Sequence, residues 1–251
     1  MNTDPDHKQP FWFENWFDSE YYHLLYNNRN YAEAELFISN LIQFLQIPAE
    51  ANVLDLGCGK GRHSIYLHSK GLHVLGVDLS VNSIQSAKAF ETKGLKFQVG
   101  DMREPQGNAE FDYVFNLFTS FGYFESEEEN MKTINAISTS LKPGGILVLD
   151  FMNAEKIKSN LKAYHEIEKD GIAFKIYKTI ENNVISKKIS FSDQGKPWFF
   201  EERVQALEQD DFRKYFKEIQ LKELTVFGDY NLNSFSRTDS DRLIFVVRKA
   251  D

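Results

Sequence analysis

The sequence predicts a doubly wound α/β layer, and three observations carry that expectation. Between Asn52 and Phe151, short aliphatic runs alternate with amphipathic stretches of helical period. The run Val53-Leu54-Asp55-Leu56 opens into a loop in which Gly57, Gly59 and Gly61 alternate with other residues, a junction that lets backbone pass close to a ligand. Acids stand at the carboxyl ends of the first three runs, at Asp55, Asp78 and Asp101. Strands separated by helices form a parallel sheet with right-handed crossovers, and such sheets bind ligands at the carboxyl ends of their strands.

The elements follow in order. The segment FWFENWFDSEYYHLLY places Trp12 and Trp16, Phe13 and Phe17, and Tyr22 and Tyr26 each four apart, so each pair shares a helical face. A helix from Tyr31 to Leu45 carries the stripe Ala34, Phe37, Leu41, Leu45 and ends before Pro48. Asn52–Leu56 is a buried strand, Arg62–Lys70 a helix closed by Gly71, and His73–Val77 the second strand. Ser80 caps a helix to about Thr92, which Gly94 stops. Leu95–Val99 and Asp112–Leu117 are the third and fourth strands. A helix from about Ser126 to Leu141, the turn Lys142-Pro-Gly-Gly and the strand Ile146–Phe151 complete the alternation.

After Phe151 the rhythm changes. A short helix near Ala154–Leu161 leads into His165–Ile180, Val184–Phe191 and Trp198–Leu207, punctuated by Lys169-Asp-Gly, Glu181-Asn-Asn and Asp193-Gln-Gly. Extended runs with polar turns between them form antiparallel strands. A helix at Asp211–Gln220 and the strands Leu221–Phe227 and Arg242–Arg248 finish the chain; with no crossover helix between them, the last two pair as a hairpin. The expected divisions are 1–48, an aromatic helical cover; 49–155 with 208–251, the core; and 156–207, an antiparallel insertion serving as a lid.

Composition narrows the function classes. At 251 residues, 42% hydrophobic and 26% charged, the chain has ordinary globular proportions. Apolar runs such as Gly145–Met152 fall well short of a membrane span. The opening MNTDPDHKQP carries charge and proline where a secretory signal carries an apolar core, so the expected location is the cytoplasm. A single cysteine, Cys58, excludes an internal disulfide, and His63 and His68 lie five apart, off any shared metal-binding face. The net charge of −8 repels polyanions; the lysines at 156, 158, 162, 169, 175, 178, 187 and 188 read as a solvated face rather than a nucleic-acid surface.

The glycine loop discriminates between ligands. A dinucleotide fingerprint wants a third small residue where Arg62 stands, and Asp55 would repel a diphosphate. S-adenosylmethionine lacks phosphate, carries a sulfonium and an ammonium, and offers two ribose hydroxyls that a carboxylate can accept; Asp78 occupies the place for them, and Asp101 that for the adenine amino group.

The runs VLDLGCGKG, GVDLS, GDMRE, FDYVFNLFTSFGYF and LKPGGILVLD resemble the successive motifs of class I S-adenosylmethionine-dependent methyltransferases across roughly residues 50–152. The closing strand pair resembles that family's antiparallel sixth and seventh strands, and the insertion resembles the β-rich lid of its small-molecule members. The resemblance implies a Rossmann-like seven-stranded core with an antiparallel last strand. It implies a loop from Asp55 through Gly57 and Cys58 to Gly59 beside the methionine moiety, Asp78 and Leu79 at the ribose, Asp101 and Met102 at the adenine, and Asn116, Leu117 and Phe118 beside the transferred methyl. In related enzymes an N-terminal helix offers a tyrosine or arginine to the methionine carboxylate, for which Tyr22, Tyr26 and Arg29 are the candidates. The same aromatic segment would otherwise cover an exposed flank of the sheet.

The expected reaction is in-line transfer of the methyl group to a small acceptor, with S-adenosylhomocysteine as product, by alignment and water exclusion rather than by a catalytic dyad. Phe121 and Tyr123 are the acceptor-side candidates, and Tyr123 or His165 the groups to take a proton if one must leave. Asn-Pro-Pro-Tyr, which resembles the mark of enzymes methylating nucleic-acid amino groups, is absent after the fourth strand. The competing readings are a transferase of the same fold that moves another group, a nicotinamide oxidoreductase, and a non-catalytic S-adenosylmethionine-binding protein.

Overall fold

Continuous aliphatic runs bury both faces of one sheet, and alternating runs build a second sheet with one wet face. The computed structural model describes residues 16, 17, 19–26 and 31–251; Trp12, Phe13 and Arg29 lie outside the described residues. The strands are β1 Asn52–Leu56, β2 His73–Asp78, β3 Leu95–Val99, β4 Phe111–Asn116, β5 Leu141–Met152, β6 Tyr164–Lys169, β7 Ile172–Glu181, β8 Val184–Asp193, β9 Lys196–Gln205, β10 Leu221–Phe227 and β11 Arg242–Lys249. The helices are α1 Glu20–Leu25, α2 Tyr31–Leu45, α3 Arg62–Ser69, α4 Val81–Ala87, α5 Glu127–Ser140, α6 Ala154–Ser159 and α7 Gln209–Glu218.

Seven strands run in the order β10-β11-β5-β4-β1-β2-β3. β1 to β5 are parallel, and β11 is antiparallel to both β5 and β10. This is the Rossmann-like methyltransferase architecture, and the closing hairpin is where the sequence puts it. One face is packed by residues that include Phe37 and Leu41 of α2, Leu67 of α3 and Ile84 of α4. The other carries Ile134 and Ile137 of α5 with Phe212 and Phe216 of α7.

Two elements differ from the sequence reading. Lys142-Pro-Gly-Gly is not a turn ahead of β5 but an irregularity within it: Leu141 already pairs with Phe111, and the register slips before Ile146 meets Tyr113. Gly144 takes up the slip at φ +71. α4 is shorter than expected, passing into a 3-10 turn at Lys88–Phe90, after which Glu91 is extended and its carboxylate accepts the Phe97 N–H at 2.9 Å.

The insertion forms a separate antiparallel sheet, β6-β7-β8-β9. Its two-residue turns, Asp170-Gly171, Asn182-Asn183 and Gln194-Gly195, each hold two successive positive φ values, the hairpin geometry that matches strand twist. Phe174, Ile176, Ile189 and Phe191 on one face pack against Trp16, Tyr21 and Leu25. The described part of the aromatic segment therefore covers this smaller sheet rather than a flank of the large one. Glu202 of β9 fixes it, accepting from Trp16 Nε1 at 2.6 Å and Tyr26 Oη at 2.7 Å.

Candidate functional site

A cavity of about 180 Å³ opens at the carboxyl ends of β1 to β4. Each strand delivers part of its wall: Leu56, Gly57 and Gly59 at the end of β1; Val77, Asp78 and Leu79 at the end of β2; Gly100, Asp101 and Met102 after β3; Phe118, Thr119, Ser120, Tyr123 and Phe124 after β4. Ser83 of α4 joins them, and Phe17 and Tyr22 close the wall from the N-terminal segment.

The glycine loop is held from within. The N–H groups of Gly57 and Cys58 donate to the Val77 carbonyl, at 2.8 and 3.1 Å, and that of Gly61 to the Cys58 carbonyl at 3.0 Å. Gly59 N–H donates to Asp78 Oδ2 at 2.8 Å. These donors are thus spent on the fold, whereas a diphosphate cradle needs them aimed at the ligand. Gly57 permits a close approach: at φ +74, a Cβ there would lie 2.5 Å from Ser120 Cβ.

Asp78 couples this loop to the next helix, because its second oxygen accepts from Ser80 N–H at 2.8 Å. Its carboxylate lines the cavity. Asp101 is more fully engaged: Arg103 donates to it from its backbone N–H, Nε and Nη2 at 2.6–3.0 Å. Burial raises the Asp101 carboxyl, but these Arg103 contacts outweigh burial and hold it below its ordinary value. Arg103 also lies over the Phe124 ring at 4.8 Å.

Other predicted residues sit behind the wall. Asp55 is buried, accepts from Ser64 Oγ at 2.6 Å, and burial pushes its carboxyl up to about 6. Cys58 is buried in the apolar layer under the loop, and burial raises its thiol well above the ordinary value. Asn116 Nδ2 donates to the Leu56 carbonyl at 3.0 Å, while its Oδ1 is buried without a partner among the described residues. Leu117 belongs to the core. Phe121, expected on the acceptor side, is fully buried against Phe212 with ring centroids 5.6 Å apart. The chain turns at Gly122, so Phe121 points inward and Tyr123 outward. Tyr26 is occupied by Glu202 and by Lys187, whose ammonium lies over its ring.

The segment after β4 is strained and firmly held. Phe118 and Thr119 have φ of +56 and +62, costly for side chains with a Cβ, most of all for a β-branched one. Asp150, fully buried in β5, accepts the Phe118 N–H at Oδ2 (2.8 Å) and the Thr119 N–H at its carbonyl (3.0 Å). Arg242 binds Asp150 Oδ1 at 2.7 Å and Thr119 Oγ1 at 2.9 Å, and Tyr230 donates to Asp150 Oδ2 at 3.2 Å. The Phe118 ring rests between Tyr230 (4.9 Å) and His63 (4.8 Å). Burial, with Arg62 beside it, brings His63 down to about 3, so its imidazole is neutral.

Sequence reasoning missed Thr119, Ser120, Phe17 and Phe124 on the wall, and Asp150 and Arg242 behind it. The acid ending LKPGGILVLD was the available signal for Asp150. Nothing local pairs it with Arg242, ninety-two positions away.

A methyltransferase-domain family model matches residues 47–218. The chain is similar over 98% of its length, at 29% identity, to a glycine/sarcosine N-methyltransferase of Aphanothece halophytica, covering 92% of that protein. It is 25% identical over 71% of its length to the dTDP-3-amino-3,4,6-trideoxy-alpha-D-glucopyranose N,N-dimethyltransferase of Streptomyces venezuelae, covering 77% of it. Among solved structures, an S-adenosylmethionine-dependent methyltransferase from Clostridium acetobutylicum superposes with a TM-score of 0.79 at 23% identity, covering 94% of this chain and 99% of that one. The chain belongs to the methyltransferase-domain family, and it is an S-adenosylmethionine-dependent methyltransferase. No helix among the described residues is long and apolar enough to cross a membrane.

Proposed function

We propose that the enzyme methylates the amine nitrogen of a small molecule in the cavity at the carboxyl edge of the large sheet. The observation that carries this reading is one wall that combines the Asp78 carboxylate, a glycine loop whose donors are internally spent, and an aromatic corner. Phe17 meets Tyr22 at 5.0 Å and Tyr123 at 5.4 Å, both edge to face. The amine is favoured because two relatives are named as N-methyltransferases.

When bound, S-adenosylmethionine supplies a methyl carbon on a sulfonium; its carbon–sulfur bond breaks as the carbon–nitrogen bond forms, leaving S-adenosylhomocysteine and a methylated ammonium that releases one proton to solvent. Asp78, beside Leu79, accepts the ribose hydroxyls. The Gly57–Gly59 backbone runs along the methionine moiety, with Asp55 and Cys58 shaping it from behind. Met102 offers an apolar face to the adenine, and Asp101, tied to Arg103, fixes the loop that carries it. Phe118, on the footing of Asn116 and Leu117, sets the floor near the methyl group. Tyr22, braced by Tyr26, closes over it. The aromatic corner excludes water and disfavours a protonated amine, which has no lone pair to attack with.

The test is product analysis with glycine, sarcosine and amino sugars as acceptors. The expected result is one equivalent of S-adenosylhomocysteine per product heavier by one methylene unit, with the methyl on nitrogen. Release of methylthioadenosine, or methyl found only on oxygen or carbon, contradicts the proposal.

A further inference from the structure

A second cavity, of about 450 Å³, shares no lining residue with the first. It lies between α6 and the first two strands of the smaller sheet, and it gathers part of the lysine run that sequence alone reads as a solvated face. Lys156, Lys162, Lys178 and His165 line it, with Asp241 the acid on its wall.

The charges there are unevenly matched. Lys156 is satisfied by Asp241 at 2.7 Å and by the Asp239 carbonyl at 2.6 Å. The Lys162 and Lys178 ammonium groups have no hydrogen-bond or ion-pair partner among the described residues. Lys178 also stands directly across from Lys187 on β8, an arrangement that repels. The carboxylate acting on Lys178, Glu202, is already engaged by Trp16 and Tyr26. His165 Nδ1 is buried with no partner among the described residues. Burial first, then Lys178, Lys187 and Lys162, hold its imidazole below the ordinary value. A partly buried ammonium without an acceptor is costly, and an oxyanion in the cleft relieves it. In a chain of net charge −8 this concentration of cations is a local inversion.

We propose that the cleft formed by Lys162, Lys178 and His165 is a binding site for a small oxyanion, the phosphate or carboxylate group of a metabolite, separate from the methyl-transfer cavity. The lysines supply point charges and the His165 ring lines the wall between them, a setting suited to a tetrahedral or planar oxyanion.

Calorimetric titration of the full chain with inorganic phosphate, and separately with acetate, against sodium chloride of matched ionic strength tests this. Phosphate or acetate is expected to bind at millimolar concentration or below and to shift the His165 ring resonances. The K162M/K178M double variant should weaken that binding at least about tenfold, while Lys188→Met, an exposed lysine on the neighbouring strand, should not. S-adenosylhomocysteine affinity should stay within about twofold in all variants, showing that they remain folded. Tighter binding of phosphate marks a phosphorylated ligand and tighter binding of acetate a carboxylate. Responses no larger than with chloride, binding only at hundreds of millimolar, or full affinity in the double variant overturns the proposal.

Discussion

The two sheets of this enzyme bury side chains in opposite ways. β5 and β11 are buried almost end to end, whereas β7 alternates a covered and a wet face. In the large sheet the backbone is fixed from both sides, so loops at its carboxyl edge can hold strained or close-packed geometry, as at Gly57 and Phe118. The small sheet has one packed face, and its stability is shared with the aromatic segment laid across it. On the proposed reading this difference is a division of labour: the first sheet sets where the cofactor lies, and the second, with the aromatic residues packed on it, sets what closes over it.

The strongest way to break that division is to remove the charge behind the strained turn. Asp150→Ala leaves Arg242 partly buried without its carboxylate and frees the Phe118 N–H, while the Thr119 N–H keeps the backbone carbonyl at position 150. It should cost about 3–5 kcal/mol in urea unfolding. A loss below about 1 kcal/mol would mean the turn is held by ring packing alone.

A smaller effect separates two buried groups of the large sheet by pH. His63, near 3 in the fold against 6.5 unfolded, stabilises the protein above 6.5, and that contribution is lost as pH falls toward 3. Asp55, near 6 against 3.8, does the reverse: its contribution is present below 3.8 and lost as pH rises through 6. Between pH 7 and pH 5 the two oppose each other. Relative to wild type, His63→Gln should gain about 2 kcal/mol over that drop and Asp55→Asn should lose about 1 kcal/mol. Parallel pH profiles for wild type and both variants would refute these assignments.

The mildest change sharpens the comparison from the other side. Glu202→Gln weakens the hold on Trp16 and Tyr26 by about 1 kcal/mol. Acceptor KM should rise severalfold, with S-adenosylhomocysteine affinity unchanged. An equal loss in both would show that the smaller sheet also shapes the cofactor's place.

The same asymmetry governs what was legible in the sequence. Strand ends and glycines of the large sheet obey local rules, so Gly57, Asp78 and Met102 were readable from the alternation and the motifs. The four short strands were readable from their turn residues, yet their partner was not, since Trp16 meets Glu202 across 186 positions. Phe121 and Tyr123 are two apart in one aromatic run, and only the turn at Gly122 decides which reaches the cavity. Asp55 looked ligand-facing because it stands two residues before the first glycine; in the fold it is buried and accepts from the Ser64 hydroxyl.

The central claim is that the Asp78 wall and the internally bonded glycine loop accept a phosphate-free adenosyl amino acid and not a dinucleotide. Calorimetric titration of S-adenosylhomocysteine and of NADH into wild type and Asp78→Ala tests it most directly. The account predicts that wild type binds the first and not the second, and that the variant loses about a hundredfold through its lost charge-assisted hydrogen bonds. NADH binding to wild type, or unchanged S-adenosylhomocysteine affinity in the variant, would contradict it.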